Sequence, residues 1–175
     1  PPPPPPPPLF FFQAEDGIRD SVSSRWLGDV YKRQPQSIAF NSDGRKLFIM
    51  GAHGDKVIEY ALAIAYCSDN LQFIRSFSVT SQEVLPTSVA FNADGTKMFT
   101  LGYTTGKKVY EYTLSTGFDV SSSSYVDSFS IADDEAQATG IAFNSAGTRM
   151  FIVGANGDEV NVYNLSTGFD ISTAE

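Results

Sequence analysis

From residue 35 onward, short runs rich in β-branched and aromatic side chains alternate with clusters of glycine, asparagine, aspartate and serine. That pattern predicts strands separated by turns, and the 3.6-residue period of an amphipathic helix is absent. The runs also recur. Ser37-Ile38-Ala39-Phe40-Asn41 returns as Ser88-Val89-Ala90-Phe91-Asn92 and as Gly140-Ile141-Ala142-Phe143-Asn144, at spacings of 51 and 52 residues. Each is followed by a glycine turn (Asp43-Gly44, Asp94-Gly95, Ala146-Gly147) and by an apolar run, 47–50, 98–101 or 150–153, that closes on Gly51, Gly102 or Gly154. A third run follows at 57–62, 109–114 and 160–165, and the first two copies add Ser76-Phe77-Ser78-Val79 and Ser128-Phe129-Ser130-Ile131.

A fixed period of this length predicts a repeat architecture, with units at 35–83, 84–135 and 136–175 and up to four antiparallel strands in each. Glycine in the first turn supplies the positive φ that joins two antiparallel strands. In the third strand, Tyr60 and Leu62, Tyr112 and Leu114, and Tyr163 and Leu165 fall on one face by alternation, and that face is expected to be buried between units. Phe91, at the repeated apolar place of the first strand, is expected to be a core residue. The third copy stops before its fourth strand.

The unit resembles the tandem repeats of bacterial and phage propeller proteins of the YVTN and tryptophan-aspartate type. The resemblance rests on Ala-Phe-Asn-x-Asp-Gly-Thr-Lys-Met-Phe at 90–99 and on Leu-Ser-Thr-Gly-Phe-Asp at 114–119 and 165–170, although no Trp-Asp pair closes any unit. It implies an all-β chain of three β-propeller blades, open and incomplete, since propellers use about four to eight blades and neighbouring blades would be missing. The role it implies is a non-enzymatic binding or structural propeller of a virion or extracellular protein, contacting protein or glycan through loops that vary among copies. The alternative is a fragment of a lactonase-like propeller enzyme whose site lies in the missing blades.

Residues 1–34 follow none of this. Eight prolines precede Leu9 and three phenylalanines, and residues 13–34 resemble the translation of a sequencing adapter, with Trp26 where the usual translation has glycine. The segment is expected to be non-native and disordered, and its residues receive no functional reading.

Composition changes the picture in one respect. The net charge is −8, and residues 35–175 carry all of the excess, with sixteen acids against eight scattered bases. Neither a phosphate backbone nor an anionic membrane surface would be held by so few, dispersed cations. No run approaches the roughly 18 apolar residues of a membrane span. Cys67 is the single cysteine, so no disulfide forms within the chain, and it is expected to pack as a small hydrophobe.

The chemistry is sparse. No catalytic, metal or cofactor constellation is predicted. His53 is the single histidine and falls in a predicted hairpin turn without a repeat-matched partner. The Asn-x-Asp-Gly segments read as turns rather than calcium loops, because a hard cation needs six or more oxygens and Ala146 replaces the aspartate in the third copy. The run Asp133-Asp134-Glu135 is expected to be a solvated loop. Asp119 and Asp170, each after phenylalanine at matched places, are the candidate loop contacts, although an aspartate so placed more often caps its own turn.

Overall fold

A computed structural model describes residues 35–51, 55–69, 71–102, 104–156 and 159–175. The expectations for residues 1–34 and for His53 lie outside the described residues. The described chain is all-β. Strands β1 (Pro35–Phe40), β2 (Lys46–Gly51), β3 (Lys56–Leu62) and β4 (Leu71–Ser78) form one antiparallel sheet in chain order. β5 (Pro86–Phe91), β6 (Lys97–Gly102), β7 (Lys108–Leu114) and β8 (Ser123–Ser130) form the second, and β9 (Ala138–Phe143), β10 (Arg149–Gly154) and β11 (Val160–Asn164) the third. Single 3-10 turns, η1 (Val120–Ser122) and η2 (Ile171–Thr173), follow the third strands of the second and third sheets.

The third sheet has the beginning of a fourth strand. Leu165 bridges Ala174, and Asn164 and Glu175 exchange backbone hydrogen bonds of 2.9 and 3.0 Å. The same register opens the β7–β8 pair, where Leu114 faces Ser123 and Thr113 faces Ser124.

The first turn of every unit is built alike. The Asn41, Asn92 and Asn144 side-chain oxygens accept the backbone N–H of Lys46, Lys97 and Arg149 at 2.8, 2.9 and 3.0 Å. Gly95 holds φ +71°, and the Phe118 ring lies where its Cβ would be. Gly95→Ala is therefore expected to lose on the order of 2–3 kcal/mol, combining left-handed strain with displacement of that ring. A urea titration of the variant checks this; an unchanged midpoint would mean that the turn relaxes freely.

Alternation sends each sheet's side chains to two faces, one toward each neighbouring sheet. Phe48 is opposite Glu59 and Met50 opposite Val57, so these four share the face of sheet one turned to sheet two. There Phe48, Met50 and Val57 pack with Val89, Met98, Tyr112 and Leu114. One unit on, Phe99, Leu101 and Val109 pack with Met150, Ile152, Tyr163 and Leu165. The tyrosine–leucine face of the second and third copies is thus buried between units, as the alternation requires.

The first-strand phenylalanines behave differently from expectation. Phe91 and Phe143 are only half-buried, and the fully buried rings are Phe48 and Phe99 of the second strands. Each of these lies 4.4 Å, centroid to centroid, from the half-buried ring of the next unit. Phe91 and Phe143 are the last residues of their strands, beside the first turn, whereas Phe48 and Phe99 lie inside theirs; earlier on the same strand as Phe91, Val89 is buried.

First strands also meet across units. The Ser37 hydroxyl accepts the Val89 N–H at 3.3 Å and the Ser88 hydroxyl accepts the Ile141 N–H at 3.4 Å. β1, β5 and β9 therefore lie side by side along the inside of the array.

Candidate functional site

Asp119 and Asp170 cap the two 3-10 turns. Asp119 Oδ1 accepts the Ser121 N–H at 3.0 Å and the Ser121 hydroxyl at 2.6 Å; Asp170 Oδ1 accepts the same two groups of Ser172 at 3.1 and 2.6 Å. Such caps satisfy amides that a short helix leaves without internal partners. Asp119 also pairs through Oδ2 with Arg75 of the preceding sheet. The equivalent place before Asp170 is Asp127, so Asp170 has no matching cation there. Each aspartate belongs to its own unit, and the fold does not gather the two into one site.

The Ser121 hydroxyl, above all, holds the Asp119 carboxyl below the usual carboxylate range; burial opposes it, and the Arg75 guanidinium adds to the lowering. A depressed folded-state pKa means stability that is present above the unfolded value, near 3.9, and is lost as pH falls through the folded one. Asp119→Asn removes that titration. The melting-temperature gap between wild type and variant should be widest above about pH 4.5 and should shrink toward pH 2 in a series of thermal melts. A gap that stays constant with pH would refute the assignment.

The most ordered polar arrangement joins successive sheets. Glu59 on β3 is fully buried, and its Oε2 accepts the Val120 N–H of the next unit at 3.2 Å. Lys46 Nζ lies 2.8 Å from Glu59 Oε1 and donates to the Phe118 carbonyl at 2.7 Å. The pattern repeats one unit later. Glu111 Oε2 accepts the Ile171 N–H at 3.1 Å, while Lys97 Nζ bonds Glu111 Oε1 and the Phe169 carbonyl, each at 2.6 Å. A Lys–Glu pair on one sheet thus grips one carbonyl and one amide of the loop in the next, which leaves no charge of the pair without a partner in the buried joint. Arg75 reinforces the first joint, with Nε 3.6 Å from Glu59 Oε2.

A second pair of glutamates, Glu83 and Glu135, sits in the connections between sheets, and both are buried. Glu83 accepts the Leu85 N–H at 3.0 Å, the Thr105 N–H at 3.1 Å and the Thr104 hydroxyl, which pins the β6–β7 loop. Glu135 accepts the Gln137 N–H at 2.6 Å, and the adjacent Asp134 accepts the Tyr163 hydroxyl at 2.7 Å. The acidic run is therefore not a wholly solvated loop: Asp133 and Asp134 are exposed, but Glu135 turns inward. Its side chain lies where a Cβ of Gly154 would be, so the missing side chain there makes the space.

These glutamates carry a signal in the sequence. Glu59 and Glu111, and Glu83 and Glu135, are each 52 residues apart, and Glu59 and Glu111 occupy alternate places with Val57 and Val109 on a face otherwise apolar. A repeat-matched acid in an apolar alternation marks a paired, buried carboxylate.

Cys67 is half-buried with its Sγ 3.5 Å from Asp69 Oδ2. Among the described residues, no three of histidine, cysteine, aspartate and glutamate stand close enough to hold a metal ion. The inner strands β1, β5 and β9 carry no ionisable side chain.

No family model and no curated protein sequence matches the chain. Solved structures do match it in shape. A proposed 6-phosphogluconolactonase of Bacteroides fragilis aligns at TM-score 0.58 and 14% identity, over 81% of this chain and 38% of its own. The periplasmic gluconolactonase of Pseudomonas aeruginosa gives 0.57 and 15%, over 82% and 38%. A β-propeller domain from Myceliophteria thermophila gives 0.52 and 11%, over 79% and 42%. The three sheets are blades of a β-propeller. The chain spans about two fifths of the length of these proteins, and at such identities the likeness extends to the fold. In propeller terms, β1, β5 and β9 are the inner strands, β4 and β8 the outer ones, and the Lys–Glu pairs are joints between blades.

Proposed function

We propose that these blades belong to a non-enzymatic binding or structural propeller that contacts protein or glycan through its loops, displayed on a virion or outside a cell. The observation that carries this reading is where the carboxylates go. Glu59, Glu83, Glu111 and Glu135 are all committed to joints or connections within the scaffold, and the inner strands carry no ionisable side chain. Loops carry function on rigid scaffolds, and here they vary while the strands repeat, as in 104–107 of the second blade against 155–156 of the third.

A second reading, a lactonase-like enzyme with its reactive groups on other blades, is favoured by the likeness to the two lactonase-related structures. One experiment separates the two. The parent protein is offered gluconolactone and 6-phosphogluconolactone in a pH-stat assay and, in parallel, is applied to a glycan array and a panel of immobilised cell-surface proteins. Saturable binding with lactone hydrolysis no faster than buffer is the expected result. Hydrolysis above buffer that saturates with substrate would overturn the binding reading in favour of the enzyme.

A further inference from the structure

We infer that the face of the third blade turned away from the second is built for a neighbouring blade that presents a backbone carbonyl but no free amide at the joint, as a Phe-x-Pro loop would. The inference starts from the two joints already described, which the third blade's outer face continues in register. Phe151 is opposite Val162 and Val153 opposite Val160, where the earlier blades place Phe99 opposite Glu111 and Leu101 opposite Val109. In the covered joints these residues are almost fully buried, whereas Val153, Val160 and Val162 are 41%, 55% and 48% exposed. The patch is apolar and of the shape a further blade covers.

Its polar equipment differs from the first two faces in a consistent way. The lysine that donates to the incoming carbonyl is replaced by Arg149, which keeps a donor. The glutamate that accepts the incoming amide is replaced by Val162, and the serine whose hydroxyl accepts the inner-strand amide by Gly140. Both acceptors are gone and the donor remains. A neighbour of the observed type would bury the amide equivalent to the Val120 or Ile171 N–H against a valine. Burying a donor without an acceptor is costly, whereas removing both partners together is close to neutral. Proline at that place meets the requirement, because it lacks the N–H and suits the first position of a helical turn.

The test has two arms, read as melting temperatures by circular dichroism. In the chain as it stands, Ile171→Pro removes the amide that Glu111 accepts and part of a fully buried side chain, and should lower the midpoint. In a Lys97→Arg, Glu111→Val background, which reproduces the third blade's pair, the packing loss remains but no acceptor is stranded, and the fall should be smaller by about 2–4 °C. An equal fall in both backgrounds overturns the pairing rule. For the third blade itself, residues 125–175 are repeated after Glu175, continuing the strand that Ala174 and Glu175 begin. The appended copy carries either its own isoleucine or Ile171→Pro, and the original blade carries Val162 or Val162→Glu. The fall in melting temperature from the isoleucine to the proline version should be smaller by about 2–4 °C with Val162 than with Val162→Glu, the packing loss being common to both. An equal or larger fall with Val162 in place overturns the inference.

Discussion

Truncating Phe99 to alanine is expected to lower the unfolding free energy by about 3–5 kcal/mol, the range for buried aromatic truncations. The ring is fully buried between two blades, 4.4 Å from Phe143 and 6.3 Å from Phe169 by centroid, and it belongs to neither blade alone. Removing it leaves a cavity lined by second- and third-blade side chains that are fixed by their own strands and cannot collapse into it. Phe151 is the same residue one blade on, but it is only partly covered. Phe151→Ala should cost about 1 kcal/mol, because most of the lost contact is with water already. Denaturant titrations of the two variants with unchanged slopes measure the difference directly. Equal costs would mean that the joint between the second and third blades is not a packed interior.

Lys97→Met is expected to cost about 3 kcal/mol, and more than Lys46→Met. Both lysines neutralise a buried glutamate, and methionine retains the apolar stem while deleting the charge. After Lys97 is lost, Glu111 keeps only the Ile171 amide, and the corresponding place on the fourth strand is Asp127, which adds repulsion. After Lys46 is lost, Glu59 still faces Arg75, 3.6 Å away. The penalty for a buried, uncompensated carboxylate should therefore be larger at the second joint, by about 1 kcal/mol on the scale of charge-assisted contacts. Raising salt should not erase the difference, since the glutamates are shielded from solvent and weakly screened. Thermal melts of both variants at low and high salt give the comparison; a larger loss for Lys46→Met would reverse the ranking of the two joints.

The architecture was readable because three local signals agreed: alternation, a glycine turn and a fixed period. Ser37, Ser88 and Gly140 fall at matched places in adjacent inner strands, as the alignment of copies requires. What alternation does not contain is where along its strand a residue stands. Phe91, the last residue of β5, is half-buried while Phe99, inside β6, is sealed. The aspartates at 119 and 170 stood out because they follow an aromatic in a loop, and the structure uses each to cap a turn. The glutamates were harder to see. An acid inside a strand reads as solvent-facing unless its alternation partners are noticed, and Glu135 lay hidden in a run whose other members are exposed. The partner of its Oε1 is a backbone amide, which no residue type announces, while its Oε2 is buried without a hydrogen bond.

The joints have a direction: the Lys–Glu pair always stands on the earlier blade, and the gripped loop on the later one. A gene segment encoding one such unit therefore carries the socket for its successor and the plug for its predecessor. Unequal crossing-over that adds or deletes a whole unit between the first two joints restores matching partners at once, with no compensating substitution. At the third blade this interchangeability stops, because Val162 no longer accepts the common plug. Blade number can drift on one side of that position, while on the other side any inserted unit must change with the residue it meets.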